Sequence, residues 1–266
     1  ANPEDLQLEL DKAAIALVGH YGMIAQRELS NQPNDYSAGY PCLLQFDQYI
    51  RYREPEQLQP VLGCLRESAE RFPNDAYVLS MLAFAHNLSQ RPGTPDSSKG
   101  YSMELARRAE ALDHDSAAAS FAVAQAAFFE GDCRTGTSWG KKAVELNPLG
   151  SRISGYLGLY MLGCKDPEGE RYAARALELD PDADLVIAAT LAFQLLKRGE
   201  VEKAHELSSA YMAASPRNEP GLELTYVLSS AMLGERAEAR RVWKILAGRF
   251  DMPENSPPRA VLGKWI

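Results

Sequence analysis

The chain has 266 residues, of which 45% are hydrophobic and 24% charged, as is usual for a folded protein that buries a large core. Its 36 acidic and 28 basic residues give a formal charge of −8, which argues against direct binding to the phosphate backbone of nucleic acids. No segment approaches 18 uninterrupted apolar residues, so we predict that this chain does not insert into a membrane. It begins at Ala1 without a signal-peptide core, and we expect a mature product or an excised fragment.

Six proline-like breaks divide the chain at nearly regular intervals. They end at Pro33, Pro73, His114, Pro148, Pro181 and Pro216, so the successive intervals are 40, 41, 34, 33 and 35 residues. The run Ala-Leu-Glu-Leu-Asp-Pro at 176–181 nearly copies Ala-Val-Glu-Leu-Asn-Pro at 143–148. A loop rich in proline, glycine and serine at 90–100 accounts for one of the long intervals. This spacing predicts repeated helix–turn–helix units.

Each interval is predicted to hold an antiparallel pair of helices. In chain order the pairs are 4–18 with 21–31, 35–52 with 55–71, 75–89 with 101–112, 115–130 with 134–146, 149–163 with 167–179, 183–198 with 200–214, and 218–233 with 235–249. The residues Asp35, Asn74, Asp115 and Asp182 follow four of the breaks and are the predicted N-caps.

The organisation predicted from these pairs has three parts. An N-terminal helical cap pair covers 1–34, a repeat solenoid covers 35–250, and a C-terminal tail or cap covers 251–266. The apolar end of that tail, 261–266, is expected to pack on the last repeat or in the groove, because a terminal repeat exposes an apolar face unless it is capped.

The period, the breaks and the small residues between paired helices resemble those of the tetratricopeptide family over nearly the whole chain. The resemblance implies an all-α, right-handed α-solenoid of antiparallel helix pairs. It also implies a protein–protein interaction module that binds a peptide or protein in its concave groove.

The first helix of each pair is expected to line that concave groove. Counting from the breaks predicts eight partner-binding residues: Tyr77, Phe84, Phe121, Gln125, Phe128, Arg152, Leu159 and Phe193. The wall they form is apolar and aromatic, and either a partner segment, the chain's own tail or a second subunit is expected to fill it. Arg152 is predicted to contact an anionic group of the partner, the alternative being a local pair with a neighbouring carboxylate.

Motifs for catalysis or cofactor binding are weak in this sequence. The run Gly136-Thr-Ser138-Trp-Gly140 matches the nucleophile-elbow pattern, but it falls within a predicted helix instead of a strand–helix turn. The four histidines are dispersed and show no metal-ligand spacing. We therefore predict no enzyme activity, no metal and no cofactor.

Two of the four cysteines are predicted to form a disulfide if the protein folds in an oxidising compartment. Cys42 lies about eleven residues before the turn near Pro55 and Cys64 about ten after it, so both occupy the same height of an antiparallel helix pair. Cys133 and Cys164 are a weaker candidate pair, at turns of adjacent repeats. The alternative is four free thiols, with Cys42 and Cys64 as small buried apolar groups.

The N-terminal segments 21–29, 40–49 and 62–69 are similar to the tetratricopeptide region of bacterial membrane-integrated transcriptional regulators and cyclase-like proteins, which follows a TolB-like segment. This similarity covers about the first 75 residues and implies a sensory or scaffolding module, with a periplasmic or extracytoplasmic location slightly favoured. Two alternatives remain open at this stage. One is an accessory domain of an enzyme whose catalytic part lies outside this chain, and the other is a structural homodimer.

Overall fold

The computed structural model describes residues 3–20, 22–89, 100–214, 219–253 and 255–257, with side chains from residue 6 onward. Over these residues the chain is helical and contains no strand. The helices are α1 (Pro3–Val18), α2 (Met23–Asn31), α3 (Tyr40–Tyr52), α4 (Pro55–Arg71), α5 (Ala76–Ser89), α6 (Tyr101–Leu112), α7 (Ala117–Phe129), α8 (Cys133–Leu146), α9 (Ser151–Gly163), α10 (Gly169–Leu179), α11 (Leu185–Lys197), α12 (Val201–Ala214), α13 (Pro220–Met232) and α14 (Arg236–Arg249).

These helices fall into two compact units. The first unit comprises Ala1–Ala183 with α1 to α10, and the second comprises Asp184–Ile266 with α11 to α14. In both units consecutive helices form the antiparallel pairs that the sequence predicts, so the all-α, repeat-based fold class is confirmed. None of the described helices is long and apolar enough to cross a bilayer.

The predicted N-caps are wrong by one or more residues. Ser116 caps α7 by accepting a hydrogen bond from the backbone N–H of Ala119 at 3.2 Å. The aspartate of the preceding break, Asp113, instead accepts a bond from the backbone N–H of Asp115 and forms a short turn. Because Asp115 belongs to this turn, the N-cap is the next residue, Ser116.

The start of α3 also differs from the prediction, by five residues. Asp35 accepts hydrogen bonds from the backbone N–H and the hydroxyl of Ser37 instead of capping a helix. Gly39 then turns the chain with a φ of 97°, and α3 begins at Tyr40. A φ in this range is open to glycine without strain, which is why the chain turns here.

First and second helices of the repeats in the first unit differ in how they are buried. Residues 119–127 of α7 are all buried, and α5 is buried from Val78 to Asn87. The second helices α8 and α10 bury only one face each, mainly through glycine, alanine and Leu179. A helix that is apolar all round must be covered on every side, including the concave one.

Close approach of paired helices depends on glycine in this unit. A Cβ on Gly158 of α9 would lie 2.5 Å from the carbonyl oxygen of Gly169 and 2.6 Å from the backbone nitrogen of Ala173, both on α10. In the preceding pair, a Cβ on Gly136 would meet the ring of Phe128 at 2.7 Å. The elbow-like glycines at 136 and 140 therefore serve helix packing, and Ser138 lies exposed on the helix α8.

Helix α3 packs against α5 and also contacts α9 within the first unit. The ring of Phe46 on α3 lies 5.6 Å from that of Phe84 on α5, edge to face. Asp47 of the same helix bonds to Arg152 on α9, and Arg51 pairs at 3.3 Å with Asp182 after α10. The two polar contacts, unlike the aromatic one, join residues that are more than 100 positions apart in the sequence.

Two disulfides lie in the first unit. Cys42 of α3 is bonded to Cys64 of α4, the pair predicted from the sequence, with a Cα–Cα distance of 5.8 Å. Cys133 at the start of α8 is bonded to Cys164 at the end of α9, with a Cα–Cα distance of 6.0 Å. The first bond ties one helix pair together, and the second ties one repeat to the next.

The second unit is held by a small apolar cluster and a buried ion pair. Leu224 of α13 and Leu246 of α14 are buried, and Phe250 and Met252 pack against them beyond the last helix. Glu223 is fully buried, and both of its carboxylate oxygens accept bonds from Arg249, at 2.6 and 3.1 Å. The predicted docking of the tail 261–266 falls outside the described residues.

Candidate functional site

A buried group of three charged or polar side chains lies between the N-terminal helices and the repeats. Oδ1 of Asp47 accepts a hydrogen bond of 2.6 Å from Arg152, and its Oδ2 lies 3.2 Å from Nδ1 of His20. Asp47 and Arg152 are each only 7% exposed, whereas the side chain of His20 is 39% exposed. We call Asp47, Arg152 and His20 the ion cluster.

The electrostatics of this cluster favour an ionised aspartate. Burial alone would raise the pKa of Asp47, but the charges of Arg152 and His20 and the bonds that both make outweigh it and lower the pKa. Because Arg152 is neutralised by this carboxylate, it does not offer a free positive charge to an outside anion. The structure thus replaces the predicted anion contact with a pair inside the chain, formed across 105 residues of sequence.

A cavity of about 440 Å³ opens beside the ion cluster, and we call it the inner cavity. One wall comes from α1, α2 and the turn between them, the other from α3, Tyr77 and the connection between α8 and α9. Its lining comprises Ala14, Ile15, Val18, Gly19, His20, Ile24, Ala25, Tyr40, Leu43, Leu44, Asp47, Tyr77, Asn147, Leu149, Gly150 and Ser151. Mostly apolar walls with a few converging polar groups are typical of a binding pocket.

Four of the predicted residues meet around a smaller adjoining cavity. Tyr77, Phe84, Phe121 and Arg152 all line this space of about 100 Å³, together with His20. Burial, followed by the nearby Asp47 carboxylate, raises the pKa of Tyr77, so its hydroxyl keeps its proton and can donate a hydrogen bond. Tyr77 is 36% exposed and reaches the inner cavity as well.

The open aromatic groove predicted from the sequence is, in contrast, filled by the chain itself. Phe84 is 2% exposed and Phe121 is 4% exposed. The ring of Phe84 lies 5.3 Å from that of Tyr156 and 6.2 Å from that of Phe121. The prediction that Phe84 and Phe121 face a partner is therefore wrong, because α3 and α9 close over them.

The remaining predicted residues of the first unit surround Tyr160 of α9. Gln125 is fully buried and donates a 2.8 Å hydrogen bond to the hydroxyl of Tyr160, so it too offers no surface to a partner. The half-buried ring of Phe128 lies 5.3 Å from Tyr160, and Leu159 is half-buried. Phe193 belongs to the second unit and is 37% exposed.

Sequence reasoning missed four residues of this region: His20, Asp47, Tyr156 and Tyr160. The two tyrosines follow Arg152 at intervals of four, so they share its helix face, and this spacing was a usable signal. His20 and Asp47 join Arg152 only through tertiary contacts, 132 and 105 residues apart in the sequence. Such a contact cannot be predicted from the spacing of residues along one helix.

The second unit holds a different polar group around a histidine. The ring of His205 stacks on Tyr226 at 4.7 Å, its Nδ1 lies 3.3 Å from the hydroxyl of Ser230, and its Nε2 lies 3.7 Å from Glu235. The order of groups resembles a serine–histidine–carboxylate triad, but Ser230 is fully buried within α13 and cannot reach a substrate. Within the described part of the chain, no three histidine, cysteine or acidic side chains cluster as metal ligands.

Comparison with known proteins rests on structure alone, because no family model and no curated protein sequence matches the chain. PilF of Pseudomonas aeruginosa is similar in structure with a TM-score of 0.58 and 19% identity, over 84% of this chain and 98% of that one. YrrB, described as a TPR protein with an unusual peptide-binding site, gives a TM-score of 0.48 and 15% identity over 69% of this chain and 91% of that one. The likeness to PilF shows the fold alone: the chain has the helix-pair fold of the tetratricopeptide solenoids.

Proposed function

We propose that this chain is a non-catalytic protein-interaction module whose inner cavity takes a short segment of a partner protein. The observation that carries the proposal is the cavity itself, about 440 Å³ with mostly apolar walls and Tyr77 among its lining residues. A segment that suits it presents one apolar side chain to Leu43, Leu44 and Ile24 and a hydrogen-bonding group to Tyr77 or Asn147.

The fold supports the proposal because repeat solenoids bind partners on their concave side. The inner cavity is lined by α3, by Tyr77 of α5 and by the start of α9, which are all first helices of their pairs. Apolar walls supply affinity, while the ionised Asp47 and the protonated Tyr77 restrict what polar groups fit beside them.

A finer proposal concerns the kind of protein that contains this module. The resemblance of the first 75 residues to bacterial regulatory proteins supports a sensory or scaffolding role outside the cytoplasmic membrane. Two disulfides support the same location, because such bonds persist mainly in oxidising compartments.

A phage-displayed library of short peptides, selected on the whole chain, tests the interaction role. Peptides that enter the inner cavity should bind Tyr77→Ala at least about tenfold more weakly, the usual loss when a tyrosine at the centre of an interface is truncated. Tyr101→Ala is the matched control, since Tyr101 is also 36% exposed but lies on α6, away from the cavity. The proposal fails if no peptide is enriched, or if both variants bind the selected peptides equally well.

A further inference from the structure

The most exposed apolar surface of the described residues lies on the N-terminal helices. Large hydrophobic side chains with at least 36% exposure number eighteen over the described residues, and six of them fall between residues 6 and 24. They are Leu6, Leu10, Leu17, Val18, Met23 and Ile24, with exposed fractions of 50% to 71%. Apolar groups clustered in this way usually mark an interaction site.

Helix α1 has two distinct faces. Its inner face carries Leu8 and Ile15, which are half-buried, and Ile15 lines the inner cavity. Its outer face carries Leu6, Leu10, Ala13 and Leu17, all exposed. Their spacing of four, three and four residues is that of a coiled-coil seam, so the structure that fits this face is another helix.

The seam is complementary to itself when a second α1 runs antiparallel. Pairing residues whose numbers add to 23 places Leu6 opposite Leu17 in the outer layers and Leu10 opposite Ala13 in the inner layers, so only the inner layers combine a large and a small side chain. Leucine at both ends and a small residue beside each inner leucine is a pattern that a two-fold axis reproduces in both copies.

The charges along α1 select the same direction. Glu4, Asp5 and Glu9 lie in its first half, Asp11 and Lys12 follow at its middle with Lys12 paired to Glu9, and residues 13–18 carry no charge. A parallel pair would set these acidic halves side by side, and an antiparallel pair sets each one beside the uncharged half of the other copy. The antiparallel pair also opposes the two helix dipoles, which lowers their electrostatic energy.

We propose that the outer face of α1 (Leu6, Leu10, Ala13 and Leu17) is a self-association surface, on which a second copy of this chain binds through its own α1 in antiparallel orientation. The seam spans only about three helical turns, so the interface is smaller than a standard one and the dimer forms reversibly. The inner cavity lies behind the opposite face of α1, so this contact is separate from the proposed partner site.

Sedimentation velocity from micromolar to millimolar concentration gives the first test. Wild type should shift from monomer toward dimer, and Leu10→Glu should remain monomeric throughout because it buries a charge at the centre of the seam. Ile245→Glu, at a 49% exposed residue of the second unit, is the matched control and should associate like wild type. A wild-type monomer at every concentration, or equal loss of association in both variants, overturns the proposal.

Cysteine cross-linking then tests the orientation. The described residues contain no free cysteine, so single substitutions add the reactive thiol. Mixing Leu6→Cys with Leu17→Cys under mild oxidation should yield the mixed dimer, whereas Leu6→Cys alone should not cross-link, because two such residues lie about 16 Å apart along an antiparallel pair. Efficient cross-linking of each variant with itself indicates a parallel pair, and no cross-linking at all indicates that another protein covers this face; either result contradicts the proposal.

Discussion

The two compact units are built from the same helix-pair repeat, but they bury their inner helices to different extents. In the first unit the inner helices α5 and α7 are buried on every side, and α3 packs against α5. In the second unit the inner helix α11 buries one face around Ile187 and leaves Phe193 37% exposed. The first unit also holds all four cysteines of the chain. An apolar inner helix therefore does not by itself indicate a binding groove, because the chain can supply its own cover.

Reduction of the disulfides should separate the two units most clearly. The two bonds join cysteines that are 22 and 31 residues apart, and each is worth about 3 kcal/mol of unfolding free energy. Both bonds lie in the first unit. Hydrogen exchange after reduction should thus accelerate in α3 to α10, while α12 to α14 change little. Two double variants, Cys42→Ala/Cys64→Ala and Cys133→Ala/Cys164→Ala, show how much each bond contributes to the slow exchange. Equal acceleration of exchange in both units would contradict the assignment of this stabilisation to the first unit.

Aromatic truncation should sharpen the contrast between the two inner surfaces. Phe84→Ala removes a ring packed against Phe46, Phe121 and Tyr156 and should cost about 4 kcal/mol of unfolding free energy. Phe193→Ala, at a half-exposed ring, should cost about 1 kcal/mol. Urea unfolding of both variants measures the difference, and similar losses would mean that Phe84 is not a core residue.

The two buried ion pairs should respond differently to the loss of their carboxylates. Asp47→Asn leaves Arg152, which is 7% exposed, without its carboxylate and should cost about 3 kcal/mol. Glu223→Gln leaves Arg249, whose side chain is 39% exposed and can turn to water, and should cost about 1 kcal/mol. Urea unfolding measures the loss of unfolding free energy in each variant. A larger loss for Glu223→Gln than for Asp47→Asn would contradict the stronger burial of the first ion pair.

Packing of α9 on α10 should tolerate no side chain at Gly158. Gly158→Ala forces a Cβ against backbone atoms of Gly169 and Ala173 and should cost about 2 kcal/mol. Gly163→Ala is the control on the same helix, since its Cβ meets nothing within 4 Å, and it should change stability by less than about 0.5 kcal/mol. Thermal unfolding distinguishes them, and equal stability would exclude the backbone contact.

Acid should remove the stabilisation that Asp47 provides. Its pKa is lowered in the folded protein, so its contribution is complete above the unfolded value of about 4 and is lost as the pH falls through the folded value. The stability gap between wild type and Asp47→Asn should be constant from pH 5 to 7 and narrow below about pH 4. The comparison is repeated in a His20→Gln background to exclude titration of the imidazole. A gap that stays constant down to pH 2 would contradict the assignment.

The sequence by itself determined the local structure of this protein. The breaks, the helix periodicity and the small residues fixed fourteen helices within a few residues, and the equal distances of Cys42 and Cys64 from one turn indicated their bond. These signals suffice because helix formation, turns and pairing of adjacent helices depend on residues close in sequence. The exact N-cap of α7 was not determined by the sequence, because several polar residues follow the break. The hydrogen bonds of the structure show that Asp113 forms a turn and that Ser116 is the N-cap.

Only the tertiary structure decided what covers the inner surface. The residues Phe84, Phe121 and Gln125 were correctly placed on inner helices, but their burial depends on contacts with other helices: Phe46 of α3 packs on Phe84, and Tyr160 of α9 contacts Phe121 and Gln125. A contact between helices that are several repeats apart depends on how all the intervening helix pairs pack, and no short sequence pattern encodes that sum. The division into a cap pair at 1–34, a solenoid at 35–250 and a tail at 251–266 stays a prediction. The ion cluster of Asp47, Arg152 and His20 exists only because tertiary packing brings these three distant residues together.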